Sequence, residues 1–400
     1  MLAIMNLKEK TNYHLLNKST MFADLNHRRQ DARLISYSTS SPPFSFKLPP
    51  ELVAKEPPEH RGISRDEVKL MVINRSNYQI EHAHFYSIGK FLRPGDLLVF
   101  NSSRTLPASL DGYVVSSVGI IPIEVRLAEH LPDDFWLVLP SYKTDGFNNN
   151  NNNNDNSLLP IFENGMEIQF GRGLIAKVYE PDDNIPRLWK VKFSKSGTQL
   201  MELLYHFGQP IRYEYVSNAW DLDYYQTVYA RQPGSAEMPS AGRAFTWKLL
   251  LGLKRHGIGM AYIFLHTGIS SYMDDTLDLQ HPASEEEYSV SHRAAKMVNK
   301  THSHGGRAIA VGTTVVRTLE SVASNNGNID GGHGYTRLHI AANHKLKTVD
   351  GSLTGLHEPE ASHLDLLTAF LPTENIHKSY EEAIQRKYLW HEFGDLNLIL

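Results

Sequence analysis

The sequence contains no cysteine among its 400 residues. This absence excludes disulfides, thiolate nucleophiles, cysteine-ligated zinc and iron–sulfur clusters. Uninterrupted apolar runs of about 18 residues are also lacking, which argues against a membrane-spanning helix. Neither a Walker A sequence nor a Gly-x-Gly-x-x-Gly pattern occurs, so ATP hydrolysis and a standard nicotinamide enzyme are not supported. The formal net charge is only −4, which excludes nucleic-acid binding by bulk positive charge but not by a local basic patch.

The composition that is present fits a folded globular protein, since 41% of the residues are hydrophobic and 21% are charged. Residues 1–43 mix Asn, Lys, Ser and Thr without sustained periodicity, and we interpret them as a disordered extension. Basic residues such as Arg28, Arg29 and Arg33 leave an organelle transit peptide as the alternative. Because no secretory signal pattern follows the first residues, the expected location is the cytoplasm.

Residues 111–204 differ in pattern from the rest of the chain. Short β-type runs alternate there with Pro, Gly and Asp, and helical periodicity is weak. An asparagine run with flanking Asp and Asn covers 148–156, which is typical of a surface loop that cannot bury a core. We therefore predict an inserted all-β, barrel-like domain over 111–204.

The two flanking stretches, 44–110 and 205–400, show strands alternating with helices. Strands are predicted at 97–100, 258–265 and 308–311, with helical stretches after the second and third. Such alternation indicates a mostly parallel sheet. The predicted fold class is therefore α/β, with one discontinuous domain of 44–110 and 205–400 interrupted by the barrel-like insertion.

Two histidine patterns resemble metal sites but fail on inspection. His82 and His84 could hold a metal from one strand face, yet no third ligand is nearby, so ordinary strand histidines are favoured. His357 and Glu358 resemble the start of a zinc-protease helix, but Pro359 would break that helix. We predict no metal site.

Three polar segments follow predicted strands. Gly312 with Thr313 and Thr314 opens a helix after a buried strand, so a threonine cap is expected and free backbone N–H groups would point above the sheet. Arg317 lies one turn further on. The alternative interpretation is a plain capped helix in which Arg317 pairs with Glu320.

The second segment is His266, at the end of another apolar strand, and the third is 225–231 with the long Gly/Pro/Ser loop that follows it. Asn101 and Arg104 come just after a further buried strand. Because parallel strands end at one edge of a sheet, these groups predict a crevice for a polar ligand there.

These segments carry a resemblance to a known family. The matching stretches are Leu-Pro-Pro-Glu-Leu at 48–52, Arg-Pro-Gly-Asp-Leu-Leu-Val-Phe-Asn at 93–101, Tyr-Gln-Thr-Val-Tyr-Ala at 225–230, Val-Gly-Thr-Thr at 311–314 with Arg317, and Phe-Gly-Asp at 393–395. In this order the chain resembles the S-adenosylmethionine:tRNA ribosyltransferase-isomerases of queuosine biosynthesis, over about 44–400.

The resemblance implies an α/β domain with an inserted β-barrel. It also implies transfer and isomerisation of the ribosyl part of S-adenosylmethionine onto a deazaguanine base in a tRNA anticodon, giving epoxyqueuosine, adenine and methionine. S-adenosylmethionine would be a substrate, and no metal is implied. His266 and His357 are the expected catalytic residues. The expected substrate-binding residues are Asn101, Arg104, Tyr225, Gln226, Thr227, Gly242, Gly312, Thr313, Thr314 and Arg317.

Several departures mark a divergent member. The family's usual Thr-Ala-Gly-Leu-His-Phe is Ser-Ala-Gly-Arg-Ala-Phe at 240–245, and its Asn-Phe-His-Leu-Pro is Gly-Leu-His-Glu-Pro at 355–359. Two further hypotheses therefore stay open. One is a related transferase that uses S-adenosylmethionine on another acceptor, and the other is a non-catalytic module that binds a nucleoside or RNA. The oligomeric state cannot be predicted.

Overall fold

The computed structural model describes residues 45–116, 119–142, 162–213, 215–216, 218–272, 286–359, 361 and 363–400. The predicted extension over 1–43 and the asparagine-rich stretch 148–156 lie outside these ranges. Across the described ranges, no helix is both long enough and apolar enough to cross a membrane.

The elements below are numbered in chain order. The strands are β1 (Lys69–Ile73), β2 (Ile80–His84), β3 (Leu97–Asn101), β4 (Ser103–Thr105), β5 (Ser109–Ser116), β6 (Gly119–His130), β7 (Phe135–Tyr142), β8 (Glu167–Phe170), β9 (Ile175–Pro181), β10 (Trp189–Phe193), β11 (Gln232–Ser235), β12 (Gly259–Leu265), β13 (Glu286–Val290), β14 (Ala308–Val311), β15 (Gly332–Thr336), β16 (Gly351–Gly355) and β17 (Leu396–Ile399). The α-helices are α1 (Gly197–Phe207), α2 (Trp247–Arg255), α3 (His292–Ser303), α4 (Thr313–Val322), α5 (His363–Thr368) and α6 (Thr373–Gln385).

Nine of the described strands form one sheet in the order β15-β13-β12-β3-β14-β16-β17-β1-β2. The pairs β12–β3, β3–β14, β14–β16 and β17–β1 are parallel. The outer pairs and β16–β17 are antiparallel. The α/β fold is thus confirmed, with parallel pairing concentrated in the middle of the sheet, where crossover helices connect the strands.

Strand β3, which lies between β12 and β14, is buried along its whole length because helices cover both faces of the sheet. Leu97 and Val99 join the hydrophobic cluster that α3, α4, α5 and α6 contribute to on one face. Leu98 and Phe100 join the cluster on the other face, which α2 helps to cover. Side chains that alternate along a strand reach opposite faces, so β3 links both halves of the core.

The predicted β-barrel is present, as a closed antiparallel barrel in the order β10-β7-β6-β5-β8-β9. Its interior alternates as the strand period requires: Ile123, Val125 and Leu127 of β6 are buried and belong to one cluster. That cluster continues into Ile211 and Ala236, which the sequence assigned to the α/β part. The boundaries 111 and 204 therefore stay a prediction.

Candidate active site at the sheet edge

Asn101 joins the parallel strands where they end. Its side-chain amide donates to the carbonyl of Leu265 at 2.8 Å and to Oγ1 of Thr314 at 3.3 Å. Its Oδ1 accepts from the backbone N–H groups of Leu265 at 3.2 Å and Ser103 at 3.0 Å. A buried side-chain amide whose nitrogen donates and whose oxygen accepts hydrogen bonds fixes the positions of its neighbours. The structure therefore brings together the carboxyl ends of β3 and β12 and the amino end of α4, as the sequence predicted.

Gly312 sits at the turn between β14 and α4. Its φ of 99° lies in the region that favours glycine, and its N–H donates to the carbonyl of Leu353 at 2.8 Å. The expected threonine cap is wrong, because Gly312 is itself the N-cap residue and no side chain caps the helix. Thr314 instead bonds Asn101, and Thr313 is half-buried beside it. A Cβ at Gly312 would lie 3.8 Å from Cβ of Ala241.

His266 is held by a chain of hydroxyl groups. Its Nδ1 lies 2.8 Å from Oγ of Ser103, which lies 2.6 Å from Oγ of Ser235. Burial, with a smaller effect from His130, lowers the pKa of His266 to about 4. The imidazole is therefore neutral at pH 7 and can accept a proton. Gly234 packs on the ring so closely that a Cβ there would lie 2.4 Å from it.

The segment with Tyr225, Gln226 and Thr227 is anchored to β4. Gln226 accepts from the N–H of Thr105 at 3.1 Å and donates to its carbonyl at 2.8 Å. Oγ1 of Thr105 donates to the carbonyl of Tyr225 at 2.8 Å. Because both hydrogen bonds of the Gln226 amide go to the backbone of β4, this side chain holds the loop in place. The buried Thr227 places its methyl group 3.2 Å from where a Cβ at Gly242 would lie.

The two arginines of the predicted site differ in placement. Arg317 forms an ion pair with Glu286 and donates to the carbonyl of Leu338 at 3.2 Å. The alternative pairing with Glu320 is wrong, since that carboxylate bonds His344 at 3.1 Å and accepts from backbone N–H groups at 347–349. Arg104, on β4, lies with its guanidinium 5.9 Å from the ring centre of Tyr205.

His357 lies two residues beyond β16. Its backbone is fixed at both ends, by Oη of Tyr380 at 3.2 Å and by Nε1 of Trp390 at 3.0 Å. Its ring stacks on His363 with 4.9 Å between ring centres. Burial lowers its pKa to about 4, and within the described residues its Nε2 has no hydrogen-bond partner. His357 thus contacts Tyr380, Trp390 and His363, whereas His266 bonds Ser103, so among the described residues the two expected catalytic histidines lie in separate networks.

Beside this edge lies a small charged recess, with a cavity volume of about 10 Å³, that the sequence analysis did not identify. Arg243, which is 3% exposed, is one of the residues that line it. This guanidinium donates to Glu59 and to the carbonyl of Tyr224, each at 2.7 Å. The full lining is Pro58, Arg65, Val68, Ser240, Arg243, Ala244, Gly355, His391, Glu392, Phe393, Gly394 and Leu396.

Two carboxyl groups near the recess have raised pKa values. Burial raises the pKa of Glu392 to about 8, helped by the nearby Glu237 and opposed by Arg243. Burial also raises the pKa of Glu237 to about 7, against the hydrogen bonds that it accepts from Ser270. Both carboxyls are therefore largely or partly protonated at neutral pH. Glutamates in short polar stretches give no sequence signal of such burial.

The described ranges hold no group of three or more His, Asp or Glu side chains arranged to bind a metal ion. The prediction that the chain needs no metal stays a prediction.

Comparison with known proteins fixes the family. The model of a family described as "Queuosine biosynthesis protein" matches residues 41–399. The S-adenosylmethionine:tRNA ribosyltransferase-isomerase of Thermoanaerobacter sp. (strain X514) is 36% identical over 363 residues, which is 89% of this chain and 98% of that protein. The chain belongs to the queuosine biosynthesis protein family. The protein of the same name from Moorella thermoacetica is 35% identical over equal shares of both chains.

Among solved structures, this family member is similar to an S-adenosylmethionine tRNA ribosyltransferase from Thermotoga maritima. The two are 29% identical, and the match covers 90% of this chain and 100% of that one with a TM-score of 0.49.

The departures from the usual family sequence gather at the recess. Arg243 and Ala244, where the family usually has Leu-His, both line it, as does Gly355. Glu358, where Leu is usual, forms an ion pair with His391 of the lining. The sheet edge around Asn101 and Gly312 thus follows the family pattern, whereas the neighbouring recess is more charged.

Proposed function

We propose that this chain transfers and isomerises the ribosyl part of S-adenosylmethionine onto the deazaguanine precursor base in a tRNA anticodon, giving epoxyqueuosine, adenine and methionine. The observation that carries the proposal is the likeness to proteins named for that activity over 98% of their length. S-adenosylmethionine and tRNA are then substrates. We propose the cytoplasm as the compartment, and 44–110 with 205–400 as the catalytic domain around an inserted domain of 111–204.

The reaction makes limited chemical demands that this site can meet. The sulfonium is a leaving group and acidifies the adjacent ribose carbon, so the enzyme must supply a base, an acid for the departing adenine, and positioning. His266 is the candidate base because its imidazole is neutral and Ser103 orients its Nδ1. His357 is the second candidate for proton transfer.

Positioning is assigned to the sheet edge. In the proposal, the backbone N–H groups around Gly312, Thr313 and Thr314 contact the nucleoside or a phosphate, because the start of a helix presents unpaired donors. Asn101 holds that edge, and Gly242 allows close approach of the neighbouring loop. Tyr225, Gln226 and Thr227 position the same loop, while Arg104 and Arg317 are candidates for contacts to tRNA or the nucleoside.

The test is incubation of the protein with S-adenosylmethionine and tRNA that carries the precursor base, followed by mass analysis of the nucleosides. Epoxyqueuosine is expected, and one adenine should be released for each modified tRNA. The matched control is the same tRNA lacking the precursor base, which should yield neither product. Absence of epoxyqueuosine under conditions in which a relative forms it would contradict the proposal.

A second candidate function keeps the donor and changes the acceptor. The charged recess favours it, because Arg243 and Glu358 stand where the family usually has leucines. Release of adenine from S-adenosylmethionine without any tRNA would favour this second function over the first. Binding of the nucleoside with no turnover at all would instead favour the non-catalytic module.

A further inference from the structure

The recess holds a carboxyl group whose position is rigidly set. Glu392 belongs to the loop between α6 and β17, which the carboxylate of Asp395 closes by accepting from the N–H groups of Lys69 at 2.6 Å and Leu389 at 2.8 Å. Arg61 donates to the carbonyl of Phe393 at 2.9 Å. The side chain of Glu392 is therefore presented to the recess by a fixed backbone.

Glu392 lacks the partner that a buried carboxyl needs. It lines the recess, and its Oε2 is inaccessible to solvent and has no hydrogen-bond partner among the described residues. Arg243 also lines the recess, but its guanidinium is bound to Glu59 and to the carbonyl of Tyr224. A buried carboxylate without a partner costs several kcal/mol, on the order of the penalty for any unpaired buried charge.

The recess around Glu392 contains arginines, but Arg65 and Arg243 both already pair with Glu59. The carboxyl and phenol groups near Glu392 add no positive charge. Glu237 and Glu358 act on it as like charges, and the phenols of Tyr215 and Tyr225 face it from neighbouring segments. His391 also lines the recess, where it pairs with Glu358 and stacks on Tyr215 with 4.1 Å between ring centres. The recess is therefore suited to a positive charge that comes from outside the chain.

The recess also adjoins the edge assigned to the nucleoside. Ala241 lies next to Gly312, and Arg243, two residues later, lines the recess. Gly355 lines the recess at the end of β16, which pairs with β14 just before Gly312. A ligand whose nucleoside sits at Gly312 can thus extend a charged group toward Glu392.

We propose that Glu392, with Glu237 beside it, forms a subsite for a positively charged group of S-adenosylmethionine, the sulfonium or the α-ammonium. This inference rests on the proposed function, because it takes the donor from it. In the free protein the Glu392 carboxyl is protonated. On binding of the cation its O–H bond breaks, the proton passes to the buffer, and the carboxylate pairs with the ligand.

The experiment measures equilibrium binding of three nucleosides with and without tRNA. S-adenosylmethionine carries both cations, S-adenosylhomocysteine keeps only the ammonium, and 5′-methylthioadenosine has neither. Glu392→Gln should weaken binding of S-adenosylmethionine by roughly 10- to 100-fold, the range for a hydrogen bond to a charged group, and that of 5′-methylthioadenosine by less than about twofold. Glu81→Gln, on the exposed side of an edge strand, is the control for the same charge change.

The pattern of losses identifies the cation. A loss for S-adenosylmethionine alone supports contact with the sulfonium, and an equal loss for S-adenosylhomocysteine supports contact with the ammonium. Calorimetry in two buffers of different ionisation enthalpy should also show proton release when S-adenosylmethionine binds to the wild type at pH 7, and less release with Glu392→Gln. This proton count is a readout that a purely structural role of Glu392 would not move.

Two outcomes overturn the inference: equal weakening of all three nucleosides, or unchanged binding of all three in a variant that unfolds at the wild-type urea concentration. Failure of the proposed function looks different, since the wild type would then form no epoxyqueuosine. A wild type that forms it, paired with a Glu392→Gln variant of unchanged KM for S-adenosylmethionine, would sink this inference alone.

Discussion

Two polar regions share one edge of the sheet, and they differ in how their groups are paired. Around Asn101 and His266, the side-chain amide, hydroxyls and imidazole bond one another and the strand ends. In the recess, Oε2 of Glu392 is shielded from solvent and has no partner among the described residues. Fully paired buried groups hold a geometry, whereas an unpaired one is poised to interact with a ligand. The first region, around Asn101 and His266, therefore fixes the geometry of the site, and we call it the frame. The second region, the recess, selects the charge of the ligand.

The largest expected effect tests the paired region. His266→Ala should lower kcat by about 10²- to 10⁴-fold, the usual contribution of a positioned acid–base group. Epoxyqueuosine formation per minute, at saturating substrates, is the measurement. His84→Ala, at an exposed position on an edge strand, is the control and should stay within about twofold of the wild type. Activity of His266→Ala near the wild-type level would remove His266 from the chemistry.

The second prediction tests whether Asn101 holds the strands and the helix of that region together. Asn101→Leu removes an amide that joins two strands and a helix, and it leaves the N–H groups of Leu265 and Ser103 without their acceptor. The free energy of unfolding should fall by about 2–4 kcal/mol, because unpaired buried donors cost more than a lost bond is worth. Urea denaturation measures it. Asn77→Leu, in an exposed turn, is the control, and an equal loss there would contradict the assignment.

A smaller effect is expected where the loop approaches the strands. A Cβ at Gly242 would lie 1.9 Å from Oη of Tyr229, a phenol buried in the core. Gly242→Ala should therefore destabilise the fold by about 1–3 kcal/mol through overpacking. Adding Tyr229→Phe removes that hydroxyl and should recover part of the loss. Thermal unfolding of the single and double variants measures the coupling, and the absence of recovery would mean that the clash is not the cause.

The smallest effect concerns stability against pH. Burial raises the pKa of Glu392 to about 8 and of Glu237 to about 7, above the 4.5 of a free glutamate. Between pH 4.5 and about 8 the folded protein then binds more protons than the unfolded chain, so the stability that these two carboxyls contribute is lost as pH rises through that window. The histidines His266 and His357 affect stability in the opposite direction, at acidic pH. Their pKa values, lowered to about 4 from 6.5, predict loss of stability as pH falls below 6.5.

Between pH 4.5 and 6.5 the carboxyl and histidine effects offset each other, so the melting temperature should stay nearly constant there and decline by several degrees, about 3–8 °C, between pH 6.5 and 8. Glu392→Gln should flatten the decline above pH 6.5 and leave the histidine effect partly unopposed, so that the melting temperature of the variant falls as pH drops below 6.5. A melting profile of that variant that still falls as steeply between pH 6.5 and 8 would show that Glu392 is not buried as described.

Much of the frame could be predicted because its signals are local. The buried runs that became β3, β12 and β14 are short and apolar, and polar residues follow each of them directly. Since parallel strands end together, order along the chain was enough to bring Asn101 and Gly312 to one edge. The barrel was equally visible, because its short alternating runs contrast with the helical stretches around them.

The partners of charged residues could not be predicted in the same way. Arg317 pairs with Glu286, 31 positions earlier in the chain, although Glu320 is one turn away on the same helix. Glu320 is unavailable because backbone N–H groups of a distant loop, at 347–349, bind it. The raised pKa of Glu392 depends on burial and on Glu237, which lies far from it in the sequence. Tertiary packing decides such pairings, and spacing along a helix does not reveal it.

The position of β17 has a consequence for how the molecule is made. This strand lies between β16 and β1, so the last element of the fold joins one of the first to the centre of the sheet. During synthesis, β1 and β2 cannot join the rest of the sheet until residues 396–399 have left the ribosome, because β17 is the strand that pairs with both β1 and β16. The loop bearing Glu392 is ordered at that same late step. Only a chain translated through β17 can therefore acquire the charged recess, and incomplete chains would expose an unpaired strand edge to quality control.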